Sequence, residues 1–111
     1  WDKIWQTGLF APCVYYSEFC SYKKHINAYG LPLDNRKTYT KSDWLMWVGV
    51  LAPTKEEFID FIKPMWNCYN STPSRVPLTD WYDTVTSEVV GFRHRSVLGG
   101  FYIKFLEDTL I

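Results

Sequence analysis

The most apolar part of the chain is residues 40–52, which read Thr40-Lys41-Ser42-Asp43-Trp44-Leu45-Met46-Trp47-Val48-Gly49-Val50-Leu51-Ala52. Residues 40–43 form a candidate capping box, in which a hydroxyl and a carboxylate satisfy free N–H groups at a helix start. The residues after Asp43 are apolar on every side of a helix, which is typical of a helix buried within protein. We therefore predict an inner helix that requires cover on all of its sides.

Two amphipathic helices are predicted, one on each side of this inner helix. The first begins at Pro12, which suits a first helical turn, and ends at Gly30, which can adopt the left-handed conformation of a helix end. The second begins with a capping box at residues 54–57, and we expect Pro64 to kink it. Their apolar stripes are formed by Tyr15, Phe19, Tyr22, Ile26 and Tyr29 and by Phe58, Ile62, Met65 and Tyr69.

A further, largely apolar helix is predicted from Ser96 or Val97 to Glu107, and residues 1–5 resemble the tail of another inner helix. Amphipathic helices that alternate with wholly apolar ones indicate outer and inner layers of stacked helical hairpins. Such hairpins bury a continuous core only beside neighbouring pairs. We therefore predict a mainly all-α fold, with about two hairpins of a larger helical toroid or solenoid.

The links between outer and inner helices are long and polar, at residues 30–43 and 70–96, whereas the link around Pro53 is short. In an antiparallel alternating array, both long links emerge at the same end. Long ordered links often carry function, so we expect a site on that rim. Within the second link, strand-forming residues around a polar turn predict a small β-hairpin at residues 84–92.

Composition excludes some classes of protein. The 12 Lys and Arg residues are balanced by 12 Asp and Glu, so the chain has no excess of positive charge with which to bind nucleic acid or an anionic membrane nonspecifically. No apolar run reaches the roughly 18 residues of a membrane span, so we predict a soluble chain. Aromatic residues make up 19% of the sequence, more than a domain of this size can hide. Some of them should face a ligand or further protein.

The cysteines and histidines do not specify a metal site. Cys13, Cys20 and Cys68 lack the spacing of a thiolate zinc site, and His25 and His94 are distant in sequence. We predict three buried free thiols and neither metal nor cofactor. The alternative is one disulfide from Cys68 to Cys13 or Cys20.

Three blocks in the long links carry a family resemblance. They read Tyr29-Gly30-Leu31-Pro32-Leu33-Asp34-Asn35-Arg36-Lys37-Thr38-Tyr39-Thr40-Lys41-Ser42-Asp43-Trp44, then Thr72-Pro73-Ser74-Arg75-Val76-Pro77-Leu78-Thr79-Asp80-Trp81-Tyr82-Asp83-Thr84, then Gly91-Phe92-Arg93-His94-Arg95-Ser96-Val97-Leu98-Gly99-Gly100. In content and order they closely resemble signatures of the glutaminase A family of fungi and bacteria, and the similarity extends over almost the whole chain.

The resemblance implies a fold, a setting and an activity. The fold is the late part of a C-terminal (α/α)6 toroid of six helical hairpins, in a larger protein with additional N-terminal domains. The activity is hydrolysis of glutamine to glutamate and ammonia. Because many family members are exported, a secreted or periplasmic location is implied.

Amide hydrolysis requires a nucleophile or activated water, a proton donor for ammonia, and dipoles or cations for the developing oxyanion. The rim offers Asp43, Asp80 and Asp83 as candidate catalytic carboxylates and Lys41 to stabilise negative charge. Candidate substrate-binding residues are an acid for the ammonium group, arginines for the carboxylate and two tryptophans: Asp34, Arg36, Arg75, Arg93, Arg95, Trp44 and Trp81. Hydroxyl nucleophiles remain open among Thr38, Ser42, Ser74 and Ser96.

Structural roles compete with these assignments. Asp43 could simply cap the inner helix, and acids and arginines on loops commonly pair with one another. Asp80 and Asp83 are equally consistent with a structural role, and their spacing on a link does not determine a distance. Trp44 and Trp81 could be packing anchors between helices.

Two functions other than hydrolysis of a small amide substrate remain open. Aromatic and acidic residues on one rim are also typical of a carbohydrate-active or carbohydrate-binding toroid, which would take a sugar. The third reading is a noncatalytic structural segment. In each case we expect the open helix flanks to be covered by remaining domains of a parent chain or by another subunit. We expect residues 1–111 alone to lack efficient catalysis.

Overall fold

The computed structural model describes residues 1–110, which are mainly α-helical, as the sequence predicts. In this part of the chain the helices are α1 (Asp2–Trp5), α2 (Pro12–Lys23), α3 (Ser42–Gly49), α4 (Lys55–Ser71) and α5 (Ile103–Leu110). A 3₁₀-helix covers Ser96–Tyr102, and strands β1 (Tyr39–Lys41) and β2 (Trp81–Asp83) form a small antiparallel sheet. None of the helices in residues 1–110 has the length and apolar composition needed to cross a membrane.

Helix α3 is the buried centre of the fold. Leu45, Met46 and Val48 are each at most 6% exposed, and α3 packs against the 3₁₀-helix, α4 and α5. Gly49 permits the close approach of α4, because a Cβ atom there would lie 3.0 Å from the Phe58 ring. The prediction of an inner helix is confirmed, although Trp47 keeps 39% of its surface exposed.

The two amphipathic helices pack their predicted stripes inward. Phe19 of α2 is fully buried against Phe61 of α4, with ring centroids 5.3 Å apart. Helix α2 starts at Pro12 as predicted but ends at Lys23, so the prediction that Gly30 ends it is wrong. Gly30 instead lies in a tight turn with φ 137°, where a Cβ atom would lie 2.8 Å from the Tyr82 hydroxyl.

Of the two predicted capping boxes, the one at residues 54–57 forms its N-cap hydrogen bond. Thr54 caps α4, where its hydroxyl accepts a hydrogen bond of 3.2 Å from the Glu57 amide, and α4 continues through Pro64. The box at residues 40–43 is wrong, because Thr40 lies in β1 opposite Tyr82 and the residue before α3 is Lys41. Backbone pairing with a distant strand therefore replaces the local cap.

The two long links meet in the sheet, which confirms that they emerge at the same end. In the antiparallel register, Tyr39 lies opposite Asp83 and Lys41 lies opposite Trp81. The predicted hairpin at residues 84–92 is displaced toward the N-terminus. Its first arm is β2, the turn follows Asp83, and Val89 returns to bridge with Tyr82. The first arm lies nearer the N-terminus than predicted because β1, which is far away in sequence, supplies its partner strand.

The C-terminal part departs from the predicted helix over 96–107. Its first seven residues form the 3₁₀-helix, and α-helical geometry begins only at Ile103. Gly99 and Gly100 disfavour α-helix, and the indole N–H of Trp47 donates to the Gly100 carbonyl at 3.0 Å. In α5, Ile103 and Glu107 are buried, whereas Phe105 is 68% exposed.

All three cysteines are free, so the disulfide alternative is wrong. The prediction of buried thiols holds for Cys68, whereas Cys20 is half-buried and Cys13 is exposed because the first turn of α2 faces solvent. Burial raises the pKa of Cys68 to about 12, so this side chain is a neutral thiol at physiological pH.

Candidate functional site

A groove of about 660 Å³ lies beside the start of α3, bordered by the 3₁₀-helix and α5. Its walls are largely aromatic and aliphatic, and they include Trp1, Trp44, Trp47, Val97, Tyr102 and Leu106. Its polar side chains are Lys41, Asp43 and Ser96. A predominantly apolar cavity with a few convergent polar groups is the usual form of a small-molecule site.

Asp43 is the buried acid of this groove. It lies in the first turn of α3, is 3% exposed, and its Oδ1 atom is 3.8 Å from Lys41 Nζ. That oxygen accepts no hydrogen bond from residues 1–110. A buried carboxylate oxygen of this kind is costly unless a bound molecule pairs with it. The groove therefore holds an ion pair with unused hydrogen-bonding capacity.

Asp80 is a second buried acid at the same junction of α3 with the sheet. Its side chain is wholly buried and forms an ion pair with Arg95, which donates from Nε to Oδ2. Its Oδ1 atom has no hydrogen-bond partner among the described residues. The backbone amide of Ser42 donates to the Asp80 carbonyl at 2.9 Å, which places Asp80 beside the start of α3.

Trp81 and Lys41 face each other across the sheet. Lys41 Nζ lies 5.9 Å from the centroid of the Trp81 ring, and that ring packs on Tyr39 with centroids 4.9 Å apart and planes tilted by 41°. The indole N–H of Trp81 is buried without a partner in the described part of the chain. Lys41 thus contacts an aromatic face on one side and the Asp43 carboxylate on the other.

The Asp83 side chain lies apart from that of Asp80, and its carboxylate is occupied by hydrogen bonds that stabilise the local structure. Its carboxylate accepts hydrogen bonds from the Thr38 hydroxyl at 2.7 Å and from the amides of Val85 and Thr86 at 2.8 and 3.0 Å. Burial raises the pKa of Asp83, but these hydrogen bonds outweigh it and the net pKa lies below its ordinary value. Side chains three residues apart on an extended segment also project to opposite faces.

Asp34 and Arg36 pair with each other, with Arg36 Nη2 2.6 Å from Asp34 Oδ2. The hydrogen bonds from Arg36 lower the pKa of Asp34. Asp34 lines a second cavity of about 360 Å³, which shares Trp44 with the groove. Trp44 also contacts Tyr22, with ring centroids 6.2 Å apart.

The remaining candidate arginines lie in different surroundings. Arg75 is exposed, has φ 55°, and lines a separate cavity of about 270 Å³. Arg93 is exposed, and the groove lining includes neither of these two side chains. Arg95 packs its guanidinium 4.0 Å from the centre of the Phe92 ring while it holds Asp80.

The four candidate hydroxyl groups also lie in different surroundings. Ser96 lines the groove, whereas Thr38 is hydrogen-bonded to Asp83. Ser74 Oγ accepts from the Val89 amide at 3.0 Å. Ser42 is fully buried between the Tyr69 hydroxyl and the Thr79 carbonyl.

Trp44 was predicted as a substrate-binding residue and lines the groove, whereas Trp1 and Trp47, which complete its tryptophan wall, were not predicted as site residues. Trp44 and Trp47 are three positions apart on α3, a spacing that places them on one helix face and that could have signalled a shared surface. Trp1 joins them with its ring 6.1 Å from Trp47. Within residues 1–110, no three His, Cys, Asp or Glu side chains are gathered so as to hold a metal ion.

Fold and groove together define the class: a helical-hairpin protein with an acidic, aromatic-walled groove where its long links converge. The chain belongs to the glutaminase A family, since the family model described as the glutaminase A six helical-hairpin domain matches residues 1–105. This match agrees with the resemblance in the sequence of the two links.

Two curated relatives are named as glutaminases. Glutaminase A of Aspergillus oryzae is 33% identical over 102 residues, which is 89% of this chain and 15% of the relative. A probable glutaminase of Arthroderma benhamiae is 38% identical over 80 residues, which is 71% of this chain and 9% of the relative. The chain therefore spans less than a sixth of the length of either. No solved structure gave a significant match.

Proposed function

We propose that this chain is one section of a larger glutaminase-like amidohydrolase that converts glutamine to glutamate and ammonia. The supporting observation is the Asp43 carboxylate, buried at the groove beside Lys41 with one oxygen that no group in residues 1–110 hydrogen-bonds. The names of the two relatives support the same chemistry. Further domains or a second subunit would cover the exposed flanks, in a secreted or periplasmic protein.

The proposed roles follow from the charges of the pair. Asp43 would remove a proton from a water molecule as that water attacks the amide carbon of the substrate. Lys41 would stabilise the oxyanion that develops on the amide oxygen. The proton held by Asp43 would then pass to the departing nitrogen, so that glutamate and ammonia leave and the carboxylate is restored.

Other candidate residues would complete the site. Asp80 is a second buried carboxylate near the start of α3, and Ser96 is a hydroxyl on the groove wall. An amino-acid substrate also needs charged partners for its ammonium and carboxylate groups. Asp34 and the exposed Arg75 and Arg93 stay predictions for binding these groups. Asp83 is a weaker candidate for a catalytic carboxylate, because its side chain already accepts hydrogen bonds from three groups.

A sugar is the second candidate substrate, because the groove walls carry aromatic rings. Trp1, Trp44, Trp47 and Tyr102 line one cavity that also contains a buried acid. Rings of this kind present large apolar faces suited to stacking. A glycosidase would use Asp43 with a second carboxylate, for which the buried Asp80 beside the start of α3 is a candidate.

The test uses the complete protein that contains this chain. We expect it to release ammonia from glutamine, and we expect Asp43→Asn to lower kcat at least about a hundredfold, the usual loss for a general base. Asp60→Asn is the matched control, because Asp60 is an exposed acid of α4. Unchanged turnover in Asp43→Asn contradicts the assigned role, and hydrolysis of a glycan panel without ammonia release favours the sugar.

A further inference from the structure

Helix α3 is attached to the second long link through one buried serine, Ser42. Its Oγ atom donates to the Thr79 carbonyl at 2.5 Å, and its amide donates to the Asp80 carbonyl at 2.9 Å. The hydroxyl of Tyr69, from α4, donates to Ser42 Oγ at 2.6 Å. Ser42, Thr79 and Asp80 are each at most 1% exposed, so water does not compete for these bonds.

This arrangement connects the two buried acids. Asp43 directly follows Ser42, and Asp80 directly follows Thr79. A displacement of Ser42 against the link therefore changes the position of Asp43 relative to Asp80 and its partner Arg95. Burial raises the pKa of Tyr69 well above its ordinary value, so its hydroxyl stays protonated and able to donate at neutral pH.

We propose that Tyr69 and Ser42 are positioning residues that hold Asp43 and Asp80 in a productive arrangement, an inference that rests on the proposed amidohydrolase function. Neither side chain lines the groove, so both act through the acids and not on the substrate. Catalysis is sensitive to displacements of about 1 Å, which a missing hydrogen bond in a junction of this kind permits.

The chain offers a matched control for Tyr69. Tyr82 is also buried, its pKa is also raised by burial, and its ring lies 6.4 Å from that of Tyr69. Its hydroxyl donates to the Tyr29 carbonyl at 2.7 Å, away from the junction that carries the acids. Loss of either hydroxyl removes one buried hydrogen bond, but only loss of the Tyr69 hydroxyl releases Ser42.

The experiment compares Tyr69→Phe with Tyr82→Phe in the complete protein, using glutamine as substrate. We expect both variants to lose a similar few degrees of melting temperature. We expect Tyr69→Phe to lower kcat about tenfold with KM within about twofold, and Tyr82→Phe to leave kcat within about twofold. Ser42→Ala should reproduce the Tyr69→Phe loss, and the double variant should be no worse than Ser42→Ala alone.

If Asp43→Asn alone abolishes turnover but Tyr69→Phe and Tyr82→Phe, each made in the otherwise wild-type protein, have equal kcat values, the positioning role is overturned and the proposed function stands. An additive double variant would also overturn the positioning role. Failure of the wild-type protein to release ammonia from glutamine would instead refute the proposed function, and with it the positioning role of Tyr69 and Ser42.

Discussion

At the scale of single residues, neighbouring acids of similar chemistry have different surroundings. Asp43 and Asp80 are buried, and each retains an oxygen without a hydrogen-bond partner among residues 1–110. Asp83 has its carboxylate occupied by one hydroxyl and two amides. A carboxylate that already accepts such bonds stabilises the adjoining turn, whereas Asp43, which has a free oxygen and lines the groove, has capacity for a ligand. We therefore expect substitution of Asp43 to lower turnover, and substitution of Asp83 to lower stability.

Asp83→Ala is expected to destabilise the complete protein by about 1 kcal/mol at pH 7, because it removes the acceptor for Thr38 and for two loop amides. The pKa of folded Asp83 lies below its ordinary value, so the contribution of its charge is fully present above about pH 4. That contribution is lost as the pH falls through the lowered pKa. Urea denaturation at pH 7, 4.5 and 3 should therefore show the gap from wild type closing in acid.

Asp60→Ala is the control for this pH series, since it removes an exposed acid of α4. Its unfolding free energy should follow that of the wild type at all three values. A gap between Asp83→Ala and wild type that widened toward pH 3 would contradict the assignment of Asp83 as a stabilising anion.

At the scale of elements, the helices differ in how their ends are determined. Helix α4 starts at a local signal, the hydroxyl of Thr54, which satisfies the Glu57 amide. Helix α3 has no side-chain cap and starts where β1 ends, held by the bonds of Ser42 to the second link. The beginning of α4 is therefore a local property, and the beginning of α3 is a tertiary one.

Thr54→Ala is accordingly expected to lower the unfolding free energy by about 1 kcal/mol, the usual cost of losing an N-cap. Thr54→Ser keeps the accepting hydroxyl and should stay close to wild type. Chemical denaturation of the complete protein measures both variants. Equal stabilities for the alanine and serine variants would show that the cap contributes nothing.

At the scale of the whole molecule, large apolar side chains remain on the outside. Trp5, Leu9, Trp66 and Phe105 are 63%, 77%, 65% and 68% exposed, and they come from different parts of the chain. Apolar exposure of this extent is typical of surfaces that contact other protein. It agrees with membership of a six-hairpin domain, in which neighbouring hairpins cover one another.

The isolated 111-residue chain is therefore expected to self-associate and to bind a dye specific for exposed apolar surface. We also expect it to show no efficient turnover of glutamine. Sedimentation velocity, dye fluorescence and an ammonia assay on the same sample check these outcomes. A dye-negative monomer with robust glutamine turnover would show that the chain needs no further hairpins.

Much of the fold follows from local patterns in the sequence. The apolar run after Asp43 predicted the buried helix α3, the spacing of Phe19 with its neighbours predicted the inner face of α2, and Thr54 predicted the start of α4. These features depend on residues within one or two helical turns of each other. The convergence of the two long links also followed, because alternating antiparallel helices leave no other arrangement.

The details of the candidate site depended on tertiary structure. Lys41 lies opposite Trp81, about 40 positions away in sequence, and that pairing replaced the predicted cap at Thr40 and displaced the predicted hairpin. The same contacts buried Asp80 against Arg95 and placed Asp83 at the end of β2, where its carboxylate accepts from the amide of the following turn. Periodicity reports which side of a helix or strand is apolar, but which charges become neighbours depends on packing between segments far apart in the chain.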